Sequence, residues 1–161
     1  MKNSKLFINL INILFCSLLI FGCSEEPTDP IVEKSLEQKA IESLTSGSSQ
    51  TWKIEGGGMV TGPTGLNITN EFSEFQLTIA SLNSKTYSTK SGNILFEING
   101  IWELNSNILD RIVLKGKSPA SEIPIRFNTS GNILTLNFTV PHQNTSDVML
   151  RGDYYFKLIK N

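Results

Sequence analysis

Ile94-Leu95-Phe96-Glu97-Ile98-Asn99-Gly100-Ile101-Trp102-Glu103-Leu104 alternates in character. Ile94, Phe96, Ile98, Gly100, Trp102 and Leu104 share one parity, while Leu95, Glu97, Asn99, Ile101 and Glu103 share the other. Successive side chains of a β-strand point to opposite faces, so the pattern predicts a strand with one buried face. The same period recurs on both sides. Leu134, Leu136, Phe138 and Val140 alternate with Thr135, Asn137 and Thr139; Tyr154, Phe156 and Leu158 alternate with Tyr155, Lys157 and Ile159, a parity reaching back through Leu150 and Val148. Ile123, Ile125 and Phe127 oppose Glu122, Pro124 and Arg126, and Phe75, Leu77 and Ile79 oppose Glu74, Gln76 and Thr78. Shorter strands are expected at Trp52-Lys53-Ile54, around Tyr87 and over 108–115.

Turn residues separate these runs: Asn83-Ser84, Ser91-Gly92-Asn93, Asn105-Ser106-Asn107 and Ser130-Gly131-Asn132. Connections this short exclude the long crossovers of parallel strands. The fold class is therefore all-β, an antiparallel up-and-down meander of about eight strands. Closure into a small barrel removes exposed edges and is favoured, with a β-sandwich as the alternative. Glycine-rich 56–58 and 62–65 read as a hairpin loop, since neither a helix nor a Lys-Ser/Thr pair follows to make a phosphate loop.

Ahead of the strands, Ile31, Leu36, Ala40, Ile41 and Leu44 approximate a helical apolar face, with Asp29-Pro30 as its start and Gly47 as its close. This amphipathic helix, residues 30–46, is expected to pack on the β-domain, residues 47–161. Its polar face mixes charges, which disfavours a membrane-surface role.

The chain has 161 residues, 14 basic and 15 acidic, for a formal charge of −1. That balance excludes a nucleic-acid binder driven by bulk charge. Both cysteines, Cys16 and Cys23, lie in the first 23 residues, so the β-domain has no disulfide and no thiolate chemistry. Lys2 and Lys5 precede an apolar run from Leu6 to Phe21, too short for a membrane span and suited to a signal peptide over 1–22. Ile20-Phe21-Gly22-Cys23 resembles the bacterial lipobox, which implies lipidation at Cys23. Cleavage there removes 22 residues and two lysines, leaving 139 residues with 12 basic and 15 acidic side chains. Two or more acyl chains would anchor the protein stably, and residues 23–29 would form a flexible tether. Ser24-Glu25-Glu26 resembles the acidic export signal of Bacteroidota surface lipoproteins, implying the outer membrane and its outer face rather than its periplasmic one.

Leu44-Thr45-Ser46-Gly47, Trp52-Lys53-Ile54 and Gly152-Asp153-Tyr154-Tyr155-Phe156-Lys157-Leu158 extend the likeness. Together with the lipobox and tether they resemble the small lipocalin-like lipoproteins of Bacteroidota, although Gln50 stands where the lipocalin Gly-x-Trp has its glycine. The resemblance implies a barrel that binds a small apolar or amphipathic ligand. Core or ligand-facing positions are expected at Trp52, Phe75, Tyr87, Phe96, Trp102, Phe127, Phe138, Tyr154 and Phe156.

Catalytic chemistry has little to work with. His142 is the single histidine and sits in a polar segment, so it cannot join a multi-histidine metal site. Glu71, Glu74, Glu97 and Glu103 show no spacing that sets two carboxylates across a cleft. Asp147 and Asp153 lack the dense acidic loop of a calcium site. The expectation is a non-catalytic binding protein with no cofactor and no metal. The alternative is an accessory surface protein that meets protein or glycan partners through Ile101, Val113, Tyr155 and Ile159 on its outer face.

Overall fold

The computed structural model of the chain describes residues 33–161. The leader, Cys23, the tether and the Asp29-Pro30 helix start lie outside the described residues. Helix α1 spans Leu36–Thr45 rather than 30–46, because residues 33–35 are not helical. Ser35 decides the start. Its Oγ accepts from the Gln38 backbone N–H at 3.1 Å, and Gln38 Oε1 accepts from the Ser35 N–H at 2.9 Å. This reciprocal box satisfies two otherwise orphaned amides. Leu36 is exposed and drops out of the apolar face, which is Ala40, Ile41 and Leu44. Ser46 and Gly47, both at positive φ, turn the chain out of the helix.

Nine strands follow: β1 (Ser49–Lys53), β2 (Met59–Thr61), β3 (Gln76–Ala80), β4 (Thr86–Lys90), β5 (Asn99–Leu104), β6 (Arg111–Leu114), β7 (Pro124–Ser130), β8 (Ile133–Val140) and β9 (Gly152–Lys160). From β3 to β9 each pairs antiparallel with its successor. β1 pairs with β3 on one side and with β9 on the other, which closes an eight-stranded barrel and excludes the sandwich.

β1 and β2 together occupy one place in that barrel. Lys53 pairs with Ile159 and Met59 with Lys157, six positions forward on one chain against two back on the other. The excursion at 55–58 therefore adds four residues. An even insertion preserves the inward parity, and Trp52, Ile54 and Val60 are all buried. The glycine-rich stretch read as a loop is thus an excursion followed by a short strand. Only three residues long, β2 offered too few positions to show a period.

The two ends of the barrel differ. At one, the connections are 81–85, 105–110 and 131–132, and α1 closes the opening. Trp52 Nε1–H donates to the Leu44 carbonyl at 2.9 Å, Trp102 Nε1–H donates to the Ala80 carbonyl at 2.9 Å, and Ser81 Oγ meets Thr45 Oγ1 at 3.2 Å. Leu44 and Thr45 are fully buried there. At the other end four longer connections meet: 62–75, 91–98, 115–123 and 141–151. Below them the lumen is filled. Phe72, Phe75, Phe96, Phe138, Tyr154 and Phe156 pack with centroids 5.2 to 6.4 Å apart. Edge-on and offset contacts of this kind add to the burial energy of each ring.

Two period-two readings fail at this end. Ile94 and Ile98 are 57% and 76% exposed, while Leu95 is 1% exposed and Phe96 beside it is also buried. Adjacent residues cannot both point inward from a strand; the chain turns here, with the Phe96 N–H donating to the Gly92 carbonyl and Asn93 at positive φ. Strand β5 accordingly begins at Asn99. Val148–Leu150 is a single 3-10 turn capped by Asp147, and Val148 is exposed.

Candidate functional site

The long-loop end carries a cleft of about 340 Å³. Its floor is Phe72, Leu95 and Tyr154, all buried. Its lips are Leu66, Ile94 and Met149, of which Met149 is 80% exposed. Pro63 and Ile68 close one side, and Glu71 brings the one carboxylate that borders it. A concave, mainly apolar lining with few polar groups suits a small molecule, and the volume lies at the lower end for such sites.

Local chemistry explains why these loops hold a shape. Glu97, expected on a solvated strand face, turns its carboxylate to the backbone of the 115–123 loop. Its Oε1 accepts from the Lys117 N–H and, at 3.1 Å, from the Ser118 N–H. Asn144 Nδ2 donates to the Pro119 and Ser121 carbonyls at 3.2 and 2.9 Å, tying 141–151 to the same loop. Arg151 then clasps its own loop: Nε donates to the Thr145 carbonyl, Nη2 to those of Thr145 and Ser146, and Nη1 sits 3.1 Å from His142 Nδ1. The 62–75 loop is held by the Val60 N–H donating to Thr69 Oγ1 at 2.9 Å and by the Ile68 N–H donating to the Val60 carbonyl.

Charge-assisted bonds to a carboxylate contribute about 1.5–3 kcal/mol each. Glu97→Ala is therefore expected to speed amide hydrogen exchange at Lys117 and Ser118 by ten-fold or more, leaving the β8–β9 ladder unchanged. Equal exchange in the two proteins would show that Glu97 does not hold the loop.

All nine aromatic positions expected from the sequence are buried. Phe75, Phe96, Phe138, Tyr154 and Phe156 meet in the lumen, Trp52 and Trp102 sit toward the helix-closed end, and Tyr87 and Phe127 lie on the intervening walls. Tyr154 alone among them borders the cleft. Leu66, Phe72, Ile94, Leu95 and Met149, which build most of the rest, lie in loops, turns and 3-10 segments; Leu66 and Phe72 show no strand period, and the period that runs through Ile94, Leu95 and Met149 points to strands that are not there. Their visible signal was apolar residues inside turn-rich stretches.

The Tyr154 hydroxyl donates to the Leu150 carbonyl at 3.3 Å, and burial first, then Glu71 and Asp147, raise its pKa above 10.0. Burial first, then Glu97 and Glu122, raise that of Tyr87, against a lowering contact from Ser121. Both phenols are more strongly held as the protonated form when folded than when unfolded. Their contribution to stability is present in full below the ordinary value of 10.0 and is lost as pH rises past it. Urea midpoints taken across alkaline pH should fall from about pH 10 upward, and more shallowly in Tyr154→Phe. A flat profile through that range would contradict the assignment.

The remaining chemistry is sparse. Glu103 and Glu122 share Lys115 at 3.2 and 3.1 Å, and among the described residues no three His, Cys, Asp or Glu side chains gather as a metal site would require. No helix among the described residues is long and apolar enough to cross a membrane. The expected outer anchors do not form one patch. Ile101 is exposed on β5 and Val113 half-buried on β6, whereas Tyr155 and Ile159 are half-buried on β9, with β7 and β8 between. No protein family and no curated protein matches the chain.

Proposed function

We propose that this protein is a lipid-anchored, non-catalytic binding protein of the bacterial envelope, tethered through Cys23 to the outer membrane and exposed at the cell surface. It holds a small apolar or amphipathic molecule at the mouth of its lipocalin-like barrel. One observation supports the reading: the lumen is packed with aromatic rings, while the mouth keeps an apolar cleft, two of whose walls, 91–98 and 141–151, are each hydrogen-bonded to the neighbouring 115–123 loop. A ligand would sit on the rings rather than among them. Glu71 at the border favours a head group that donates a hydrogen bond or carries positive charge.

Both tryptophans lie toward the far end, so their fluorescence is a poor reporter of this site. Native mass spectrometry of the mature chain with medium-chain alcohols, amines and acids, together with enhancement of N-phenyl-1-naphthylamine fluorescence, reads it directly. Binding is expected, with amines and alcohols ahead of acids, and Leu66→Asp or Met149→Asp should weaken it by ten-fold or more. A wild-type chain that binds none of the panel would sink the proposal.

A further inference from the structure

The mouth cleft has an unbalanced charge. Glu71 is the only carboxylate among the described residues that line it, and no lysine, arginine or histidine lines it. The Glu71 side chain makes no hydrogen bond and no ion pair with a described residue. Its backbone is fixed nonetheless. Glu71 sits in the 3-10 turn Thr69–Phe72, where its N–H donates to the Ile68 carbonyl at 3.0 Å. The next residue, Phe72, is packed against Phe75 and Phe156 with centroids 6.1 and 5.2 Å apart. The carboxylate is therefore presented at a defined place beside the buried floor, without a counter-ion.

The surrounding chain has the same sign. The three connections that line the cleft, 62–75, 91–98 and 141–151, hold Glu71, Glu74, Glu97 and Asp147 against one arginine and one histidine. Those two bases are engaged: Arg151 directs Nε and Nη2 at the Thr145 and Ser146 carbonyls and Nη1 at His142. Asp147 caps the turn that presents the lip residue Met149, its Oδ1 accepting from the Met149 N–H at 2.9 Å. After burial, Glu71 and Asp147 are what hold the Tyr154 phenol at the floor in its protonated form, so the negative field extends from the rim into the cleft. Apolar walls lower the local dielectric, which strengthens the pull of a carboxylate on a cation and makes an anion costlier to admit.

We infer that the ligand of the mouth is an amphiphilic organic cation, its apolar body covering Phe72, Leu95 and Met149 and its ammonium group lying against Glu71. The inference rests on the mouth being the binding site and adds the charge of the ligand to it. Isothermal titration of the mature chain with octyltrimethylammonium, octylamine, octanol and octanoate tests it. Both cations should bind about ten-fold or more tighter than octanol, and octanoate should bind weakest. Rising salt should weaken the cations and not the alcohol. Glu71→Gln should close most of the gap between cation and alcohol. Glu74→Gln, which removes a carboxylate outside the cleft lining, should keep that gap. The inference is overturned if octanol binds as tightly as both cations, if Glu71→Gln keeps the gap, or if Glu74→Gln narrows it as much. Each of those results leaves the mouth as a binding site, because octyl compounds still bind. If none of the four binds, the site and the charge of its ligand fall together.

Discussion

Phe156→Ala should lower stability by about 3–5 kcal/mol and open a void in the centre of the barrel. Phe156 is fully buried and meets Phe72, Phe75, Phe96, Phe138 and Tyr154 at 5.2 to 6.4 Å. Those neighbours come from four segments of the chain: Phe138 and Tyr154 are fixed by the β8–β9 ladder, and Phe72, Phe75 and Phe96 sit on connections anchored at both ends by strands, so they can collapse only partly to refill the space. The cost should therefore lie toward the upper part of the range. A void lined by rings stays dry and accepts small apolar molecules. Benzene or xenon should raise the melting temperature of Phe156→Ala and leave that of the wild type unchanged. If benzene stabilises both proteins alike, the lumen already has room and the site at the mouth is not the only apolar one. Phe156→Leu, which keeps most of the volume, should cost less than half as much.

Gly58→Ala is expected to cost about 2–4 kcal/mol although it adds one carbon to a surface excursion. A Cβ there would lie 2.7 Å from both the Cα and the carbonyl oxygen of Ile54 and 2.8 Å from the carbonyl oxygen of Lys157. All three are backbone atoms. They belong to the hinge of the excursion, where the Gly58 N–H donates to the Ile54 carbonyl at 2.8 Å, and to the β2–β9 pairing. Relief would mean pulling β2 off β9. Gly65→Ala is the matched control: its φ is +75°, yet a Cβ would meet nothing within 4 Å, so it should cost only the left-handed penalty of about 1–2 kcal/mol. Urea melts of the two variants decide the matter. A Gly58→Ala protein within about 0.5 kcal/mol of wild type would mean that β2 is not held where it is described.

What the sequence makes legible follows from how each residue is paired. β3, β7, β8 and β9 each alternate over five or more residues against a neighbour in register, and their inward sets, such as Leu134, Leu136, Phe138 and Val140, are all buried. The all-β class and the antiparallel meander come from that. Closure itself depends on Trp52 and Lys53 meeting Lys160 and Ile159, a pairing across more than a hundred residues that no local pattern encodes. The mouth was hidden for a related reason. Ile94 continues the parity of Trp102, but the turn at Gly92 and Asn93 breaks register between them, so one pattern spans two structures. Asp29-Pro30 and Ser35 both carry capping chemistry in the sequence, and the cap of α1 is Ser35, which Gln38 at the third position completes.

The closure by α1 has a mechanical meaning. The helix is bonded to the barrel most fully through its final turn, at Leu44 and Thr45, while in its first turn Leu36 is exposed and Glu37 reaches Lys85 at 3.4 Å on the surface. Tension applied from the N-terminal side would therefore meet one exposed ion pair before the buried contacts of the final turn. The first strand it then reaches, β1, is flanked on both sides by β3 and β9, so a pull along its axis strains several hydrogen bonds in parallel instead of opening them one at a time. The helix would take up such a load first, and the barrel with its cleft last.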